Sequence, residues 1–534
     1  MTTIGALIDE VAHQHADRPA LISAERCVSF SELGREAKRT AKGLARIGVS
    51  KGTRVGILLP NRPEWLACAF GALKLGAIVV PLNTLHRRAE LEYTLRHADV
   101  TVLVTVSRFL NHAYVDLLRE ICPALDRAQR PLALPQLPAL REVVVAGEHQ
   151  PTAAVHTLDT LCAQGATLAD EWVDAAQAQV VPGDPGAVFF TSGTTAAPKG
   201  VVHTHATMLR AAQNVADRLG LTADDRTWGY LPFFFTGGFV AVALATLARG
   251  GAVLLQEVFD AATALRLMEQ HACTTIFAWP HQAEALVAHP NFAHTRLRLR
   301  KGPGAQTKWA AQLFQPDHQA VGTWGMTETG PMAASSRWDD PLAVRAASHG
   351  RPMPGLEFCI ADPETGVPLA VEQEGELLVR GTSLMVQYYK MPPAECFDAS
   401  GYFHTGDMAR LDASGHLHFL GRIKDVIKTA GVNVAAAEVE AALQEHPAVK
   451  VAYVIGVLHP ARGENVAAFV VLRDAQGSEA ELIAYCRERL ASYKVPRHIF
   501  FSAESDLPVL GSGKVNKQAL RGLAAARIEN TGVV

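Results

Sequence analysis

The chain has 534 residues, of which 49% are hydrophobic and 19% charged, and its formal net charge is −3. This composition excludes a disordered or fibrous protein and supplies enough apolar side chains for large cores. The near balance of acidic and basic residues also argues against a nucleic-acid-binding protein, which needs a basic surface.

The N-terminal residues, the most apolar stretch and the cysteines together predict a cytoplasmic protein. The N-terminal residues include acidic side chains and lack an apolar run, so no signal peptide is predicted. The stretch from Trp65 to Leu82 contains Lys74, and it is shorter than the roughly 20 apolar residues of a membrane span. The eight cysteines show no CxxC spacing, so we expect free thiols in a reducing compartment.

Helical and strand patterns alternate over residues 5–150. Short buried-strand runs separated by helical segments are typical of an α/β domain with a largely parallel sheet. The helical segments are 31–47, 64–75 and 90–97, and the strand runs are 54–59, 77–82 and 100–105. The Pro-rich segment 127–141 is predicted to be an irregular connection.

The alternation resumes at 186–300, and the pattern changes near residue 345. Between 345 and 421, short strands separated by turn signals such as DPETG predict an antiparallel β subdomain. A smaller α/β pattern follows, with helices at 437–445 and 479–491 and strands at 449–457 and 466–472. We therefore predict a large domain over 1–422 and a small domain over 423–534.

A loop rich in hydroxyl groups follows the buried run 187–190 and precedes a segment that can form a helix. The loop reads Thr191-Ser192-Gly193-Thr194-Thr195-Ala196-Ala197-Pro198-Lys199-Gly200. Small side chains let backbone N–H groups approach a phosphate, and the lysine adds positive charge. It is not a Walker A loop, because Lys199 is followed by Gly200 rather than by Ser or Thr. The alternative is an ordinary threonine-rich turn.

Five motifs in order resemble the adenylate-forming superfamily, which includes acyl-CoA synthetases, luciferases and peptide-synthetase adenylation domains. The loop matches the phosphate-loop signature TSGTTxxPKG. The remaining matches are Trp324-Gly325-Met326-Thr327-Glu328, residues 402–407 (YFHTGD), residues 421–425 (GRIKD) with 431–434 (GVNV), and Leu507-Pro508 with Gly513-Lys514. The resemblance covers essentially the whole chain and is closest to acid–CoA ligases.

The resemblance implies a fold and a reaction. The fold would be a large N-terminal domain of mixed, largely parallel sheets packed with helices, a β subdomain, and a small mobile α+β lid. In the reaction, which uses ATP and Mg²⁺, a carboxylate attacks the α-phosphorus of ATP and forms an acyl-adenylate and pyrophosphate. The thiol of coenzyme A then takes the acyl group, and AMP is released.

The resemblance also implies residue roles. The catalytic residues would be Lys199, Thr327, Glu328 and Lys514, and Glu328 would also hold Mg²⁺. The nucleotide would contact Thr191, Ser192, Gly193, Thr194, Thr195, Lys199, Gly302, Gly304, Trp324, Gly325, Met326, Thr327, Asp407, Arg422 and Lys514. Each of four residues also has a purely structural alternative. Asp407 could form a turn, Glu328 could cap a helix, Arg422 could form a surface ion pair, and Lys514 could be a solvated loop residue.

The lid is expected to rotate between the two half-reactions about a hinge at Lys424. Lys514 would face the site during adenylation, and the 425–434 loop would replace it during thioester formation. Gly431 would leave room for the pantetheine arm of coenzyme A, and Lys428 would lie in the same tunnel or on the surface.

Three positions depart from the family pattern: Ala196 replaces a usual Gly, Ala436 replaces a common Pro, and Phe235 replaces a His. The predicted acid pocket is apolar and contains Phe233, Phe234, Phe235, Gly237, Gly238, Trp279, Gly302 and Met326. It offers no carboxylate for an α-ammonium group, which disfavours an amino acid substrate. An apolar acid, whether fatty, cyclic or aromatic, fits best.

Other acceptors and other roles remain open at this point. The acyl group could pass to an amine or to a carrier protein, or the chain could be a non-catalytic nucleotide-binding member of the fold. A homodimer is possible. Two histidine pairs, His203 with His205 and His416 with His418, lack acidic or cysteine companions in the sequence, so no metal site is predicted there.

Overall fold

The computed structural model describes residues 2–191, 198–307, 309–429, 432–459, 463–474, 477–490, 493–510 and 514–531. These residues fall into two compact units. The first unit holds 2–191, 198–357 and 379–402, and the second holds 358–378 and 403–531.

The helices are amphipathic or fully buried segments with recognisable end signals. Ser29, for example, accepts a hydrogen bond from the backbone N–H of Glu32 and so caps the second helix, and Gly220 ends the eighth with φ +60°. The α-helices are α1 Ile4–Gln14, α2 Phe30–Arg46, α3 Pro63–Lys74, α4 Arg88–His97, α5 Tyr114–Ile121, α6 Leu158–Gly165, α7 Asp170–Ala178, α8 His205–Leu219, α9 Ala245–Leu247, α10 Ala261–Gln270, α11 Pro280–Ala288, α12 Ala310–Leu313, α13 Leu342–Ala347, α14 Ala436–Gln444, α15 Glu479–Arg487 and α16 Lys517–Thr531.

The strands are mostly short. They are β1 Pro19–Ile22, β2 Cys27–Ser29, β3 Arg54–Leu58, β4 Ile78–Pro81, β5 Val102–Thr105, β6 Arg108–Phe109, β7 His112–Ala113, β8 Glu142–Val145, β9 Val155–Thr157, β10 Pro185–Thr191, β11 Lys199–Thr204, β12 Arg226–Gly229, β13 Ala252–Leu254, β14 Thr275–Phe277, β15 Thr323–Met326, β16 Gly330–Ser335, β17 Arg351–Pro352, β18 Leu356–Ala361, β19 Gly375–Gly381, β20 Gln387–Tyr388, β21 Phe403–Leu411, β22 Leu417–Arg422, β23 Val426–Thr429, β24 Val432–Ala435, β25 Val449–His459, β26 Gly463–Leu472 and β27 His498–Phe501.

An eight-stranded sheet in the order β20-β11-β10-β4-β3-β5-β8-β9 is the main layer of the first unit. Neighbouring strands are parallel from β10 to β9, and β11 pairs antiparallel with both β10 and β20. The parallel strands are mostly apolar because both of their faces are buried.

A five-stranded sheet, β14-β12-β13-β1-β2, completes the α/β framework of this unit. Its strands are parallel except where β1 pairs with β2. A π-helical segment, Gly237–Leu244, runs into α9 and is buried over most of its length. The predicted α/β class with largely parallel sheets is confirmed.

One local prediction is wrong. The segment after the hydroxyl-rich loop was expected to be able to form a helix, but it is the strand β11, and helix α8 begins only at His205. β11 pairs with β10 from Thr191↔Lys199 to Pro185↔Thr204. Residues 200–202 are buried in this antiparallel pairing with β10.

In the second unit, β24-β23-β26-β25 form a sheet to which β27 adds beside β26. Alternate side chains of β26 point to opposite faces. One face packs against α14 and α15 through residues such as Val439 and Leu482, and the other packs against α16 through Leu520 and Ala524. A separate four-stranded sheet has the order β18-β19-β21-β22. No described helix is both long and apolar enough to cross a membrane.

The buried imidazole of His205 ties two helices of the first unit together. Its Nδ1 accepts a hydrogen bond from the backbone N–H of Ile4 at 3.2 Å, and the residue is 0% exposed. Desolvation lowers the pKa of His205 to about 4, the carboxylate of Asp184 opposes this shift and Lys51 adds to it. The ring is therefore neutral at pH 7.

We expect this histidine to make the protein less stable in mild acid. At pH 5 the histidine of the unfolded chain, with a pKa of about 6.5, is protonated, whereas the buried folded one stays neutral. Protonation stabilises the unfolded state and lowers the free energy of unfolding by about 2 kcal/mol. His205→Asn places an amide oxygen near the position of Nδ1, so it keeps an acceptor for Ile4, and it does not titrate. Urea unfolding at pH 7 and pH 5 should show that the wild type loses about 2 kcal/mol more than the variant. Equal losses would contradict the neutral buried ring.

Candidate active site

The predicted phosphate loop begins at Thr191, the last residue of β10, and ends in β11 with Lys199 and Gly200. Thr191 and Lys199 face each other at the open end of the paired strands. The hydroxyl of Tyr93 donates to the carbonyl of Pro198 at 3.2 Å, which anchors the returning strand to α4. Lys199 is exposed, and its Nζ lies 4.6 Å from the centroid of the Tyr388 ring.

Thr327 and Glu328 lie in the tight turn between β15 and β16. Glu328 is 7% exposed. Its Oε1 accepts a hydrogen bond from the Tyr388 hydroxyl at 2.9 Å, and its carbonyl accepts one from the backbone N–H of Met385 at 2.7 Å. The motif is thus held at both its side chain and its backbone, and it presents a carboxylate, a ligand type that Mg²⁺ prefers.

His203 links the loop-bearing hairpin to the same turn. Its Nε2 lies 2.8 Å from the carbonyl oxygen of Thr327, and its Nδ1 lies 3.1 Å from the Thr207 hydroxyl. Desolvation lowers the pKa of His203 to about 4, so the ring is neutral at pH 7. Because a carbonyl only accepts, Nε2 carries the proton and donates to Thr327.

Asp407 and Arg422 form a second cluster, in the second unit. They are opposite each other in the antiparallel pair of β21 and β22, and Arg422 Nε lies 2.8 Å from Asp407 Oδ1. Asp407 is 2% exposed. Arg422 also donates to the carbonyl of Thr405 at 3.0 Å. The guanidinium thus pairs this buried carboxylate with a positive charge.

Lys514 belongs to the same electrostatic environment. The backbone before and after residues 511–513 is paired, since Leu510 N–H donates to the Lys514 carbonyl at 2.8 Å. Desolvation of the ammonium group is the largest cause that lowers the pKa of Lys514, although the residue as a whole is accessible to solvent. Arg422 lowers the pKa further, and Asp407 opposes both. Two cations and one carboxylate therefore interact here.

The aromatic residues of the predicted acid pocket have different surroundings. Phe233 is buried against Trp65 with ring centroids 5.2 Å apart. Phe234 is also buried and lies 4.6 Å from Phe235. Phe235 and Trp279 are both partly exposed and meet edge to face at 6.0 Å. Of this group, the last pair offers apolar surface that a ligand can reach.

The predicted site glycines lie where the backbone needs close approach. A Cβ on Gly302, which has φ +146°, would lie 2.2 Å from the carbonyl oxygen of Ile276. A Cβ on Gly238 would lie 2.2 Å from the carbonyl oxygen of Pro232. Gly304 and Gly325 are similarly crowded, and Gly237 is less so. Gly238, Gly302 and Gly325, whose added Cβ would meet backbone atoms, are thus required by local packing.

The remaining predicted residues are placed as follows. Trp324 is buried and Met326 half-buried, both on β15. Residues Ser192, Gly193, Thr194, Thr195 and Gly431 and the side chains of Lys424 and Lys428 lie outside the described residues.

The histidine pair His416 and His418 does have an acidic companion, contrary to the prediction. Asp412, six residues before His418, lies 3.5 Å from His416 and 3.0 Å from His418. Burial would raise the pKa of Asp412, but hydrogen bonds from His418 and from backbone N–H groups outweigh it and hold the pKa at about 2. The spacing hid this contact because a hairpin turn brings the residues together. Across the described ranges, no group of three or more His, Cys, Asp or Glu is arranged to hold a metal ion.

Two residues of the site escaped the sequence reasoning. Tyr388 contacts both Lys199 and Glu328, yet it lies outside the motifs quoted for the resemblance. His203 was set aside as one of two closely spaced histidines. His203 lies close to the hydroxyl-rich loop in the sequence, but neither residue's sequence neighbours indicate its distant partner.

Comparison with known proteins finds similar enzymes along nearly the whole chain. A family model described as AMP-binding enzyme matches residues 8–389, and the model of the AMP-binding enzyme C-terminal domain matches residues 438–514. Among curated proteins, the chain is 32% identical to a putative acyl-CoA synthetase, YngI, of Bacillus subtilis, covering 97% of this chain and 96% of the relative.

Two further proteins are similar along their whole length. The chain is 35% identical to the 3-[(3aS,4S,7aS)-7a-methyl-1,5-dioxo-octahydro-1H-inden-4-yl]propanoyl:CoA ligase of Mycobacterium tuberculosis, covering 98% of this chain and 99% of the relative. The crystal structure of the anthranilate CoA ligase AuaEII in complex with anthranoyl-AMP superposes with a TM-score of 0.85, at 28% identity, covering 98% of each chain.

Proposed function

The chain belongs to the AMP-binding enzyme family, and we propose that it is an ATP-dependent carboxylic acid–CoA ligase that works through an acyl-adenylate. The observation that carries this proposal is the cluster of Asp407, Arg422 and Lys514. A carboxylate suited to ribose hydroxyls and two cations suited to a phosphate interact there. A protein that only bound a nucleotide would have no need of Lys514.

In the first half-reaction, an oxygen of the substrate carboxylate attacks the α-phosphorus of ATP. The bond from that phosphorus to the bridging oxygen breaks, and acyl-adenylate and pyrophosphate form. Both reactants are anions, so the step requires positive charge more than it requires a base. Lys199 supplies that charge at the β- and γ-phosphates, Thr327 contacts the α-phosphate, and Lys514 bridges the α-phosphate and the substrate carboxylate.

Glu328 is the residue we assign to Mg²⁺. It offers carboxylate oxygens on a turn held by Tyr388 and Met385, and Mg²⁺ commonly uses one or two carboxylates together with substrate phosphates. When bound, Mg²⁺ neutralises negative charge on the phosphates. Asp407 accepts hydrogen bonds from the ribose, and Arg422 orients that carboxylate.

In the second half-reaction, the sulfur of coenzyme A attacks the acyl carbon, the bond to the adenylate oxygen breaks, and AMP leaves while the thiol loses its proton. We assign the lid to residues 423–534, with its hinge at Lys424, and the pantetheine tunnel to Lys428 and Gly431. We assign the protein to the cytoplasm, where its eight free thiols stay reduced. We also propose a homodimer, which gel filtration would test through the apparent molecular mass.

The substrate is an apolar carboxylic acid, fatty, cyclic or aromatic. The partly exposed pair of Phe235 and Trp279 supports this class. Two relatives with ring-bearing acids or acyl groups in their names, the mycobacterial ligase and the anthranilate ligase, support it as well.

A pyrophosphate-release assay over a panel of acids tests the function, with coenzyme A, amines and a carrier protein supplied in turn as acceptors. We expect acid-dependent pyrophosphate release and an acyl-CoA product. If pyrophosphate is released but the acyl group passes only to an amine or to a carrier protein, that compound is the acceptor instead of coenzyme A. Nucleotide binding without release for any acid would support a non-catalytic role.

Phe235 is expected to influence which acids are used. The resemblance to the family implies a histidine at this position, and the phenylalanine ring instead offers apolar contact worth about 1–3 kcal/mol to a well-fitted group. We expect Phe235→Ala to shift the ranking of kcat/KM toward bulkier acids and to leave ATP affinity unchanged. Phe233→Leu, in the buried contact with Trp65, is the control that should change stability and not ranking. An unchanged ranking in Phe235→Ala would make Phe235 a core residue.

A further inference from the structure

Tyr388 lies on the edge strand of the eight-stranded sheet, opposite Val201 of β11. Side chains two residues apart on a strand share a face, so Lys199, Val201 and His203 project from the same face as Tyr388. Lys199 is a diagonal neighbour of Tyr388 across the two strands, a distance that long side chains span.

The two ends of the tyrosine side chain contact two different charged groups. The ring face holds the ammonium of Lys199 at 4.6 Å from its centroid. The hydroxyl donates to Glu328 Oε1 at 2.9 Å. One side chain therefore fixes the lysine assigned to the phosphates and the carboxylate assigned to the metal.

The surroundings of Tyr388 make this a rigid support. The residue is 9% exposed, and its backbone N–H donates to Cys396 Sγ at 3.3 Å. Three residues earlier, the N–H of Met385 holds the carbonyl of Glu328. A buried, well-packed side chain has already lost its rotamer freedom on folding. It therefore loses little further conformational entropy when its hydrogen bond orients a partner.

We infer that Tyr388 is a positioning residue for ATP and Mg²⁺, which sets the Glu328 carboxylate through its hydroxyl and the Lys199 ammonium through its ring. This inference rests on the proposed function. Variants of Tyr388 can separate the two effects. Loss of the hydroxyl should weaken Mg²⁺ binding, and loss of the ring should weaken phosphate binding even without the metal.

The neighbouring Tyr389 is a matched control. Its hydroxyl donates to Asp99 at 3.2 Å, and Lys390 Nζ lies 5.6 Å from its ring centroid. The same chemical arrangement thus occurs on the next residue, and the charged groups that its side chain contacts, Asp99 and Lys390, have no assigned role in the reaction.

The experiment is calorimetric titration of ATP into the protein without acid, first in EDTA and then over a series of MgCl₂ concentrations. We expect Tyr388→Phe to raise the half-saturating Mg²⁺ concentration about tenfold and to leave ATP affinity in EDTA unchanged. Tyr388→Leu should also weaken ATP in EDTA by about three- to fivefold. Tyr389→Phe and Tyr389→Leu should match the wild type in both measurements.

A Mg²⁺ dependence in Tyr388→Phe equal to that in Tyr389→Phe would overturn the inference while the wild type still binds ATP. The same holds if Tyr388→Phe weakens ATP equally with and without metal. A wild-type protein that binds no ATP would overturn the proposed function itself. If Tyr388→Leu does not fold, the Phe variant, which keeps the ring, still decides the role of the hydroxyl.

Discussion

Lys514→Ala should slow acyl-adenylate formation by about 10²–10³, because a charge aimed at a transferring phosphoryl group contributes about 3–4 kcal/mol in the transition state. Thioester formation from supplied acyl-adenylate and coenzyme A should stay close to the wild-type rate, since Lys514 is assigned to the first half-reaction only. Pyrophosphate release and acyl-CoA formation measure the two halves separately.

Lys450→Ala is the matched control for this experiment. Lys450 is a lysine of the same unit whose Nζ pairs with Glu504 at the surface, and surface pairs contribute little. It should leave both half-reactions unchanged. An equal fall of both half-reactions in Lys514→Ala would show that the lysine is needed throughout, and the assignment of alternating lid positions would be wrong.

Asp407→Asn should weaken ATP binding about ten- to a hundredfold, because charge-assisted hydrogen bonds contribute about 1.5–3 kcal/mol. The change replaces one acceptor oxygen with a donor NH2 group, and it removes the negative charge that strengthens the ribose hydrogen bonds and pairs with Arg422. Calorimetric titration with ATP measures the loss, and the KM for the acid should change far less.

Asp412→Asn provides the comparison on the same hairpin. Asp412 bonds to His418 and to backbone N–H groups of its own turn, so its loss should lower stability and spare ATP affinity. If both variants bind ATP as the wild type does, Asp407 is a structural residue of the hairpin rather than a nucleotide ligand.

The buried strands were predictable because their signal is local. Runs such as 54–59 and 100–105 are apolar on both faces, which is typical of parallel strands covered by helices. β11 was harder to predict. Residues 199–204 are compatible with either a strand or the start of α8, and pairing with β10, which is a contact made through the fold, decides between them.

The motif residues of the site were predictable as a set, and the residues that hold them were not. Asp407 and Arg422 are separated by a hairpin, and their register brings them face to face. Tyr388 and His203 act through partners 60 and 124 residues away in the chain. Periodicity and composition report on neighbours along the chain, so contacts across such separations need the folded structure.

The alternation of side chains along β11 limits which changes in length the segment between Lys199 and His203 can accept. Lys199 and His203 use one face of the strand, and they do so because an even number of steps separates them. Deleting or inserting a single residue between them would turn one of the two side chains to the opposite face of the sheet. Length changes between Lys199 and His203 should therefore be tolerated only in pairs of residues.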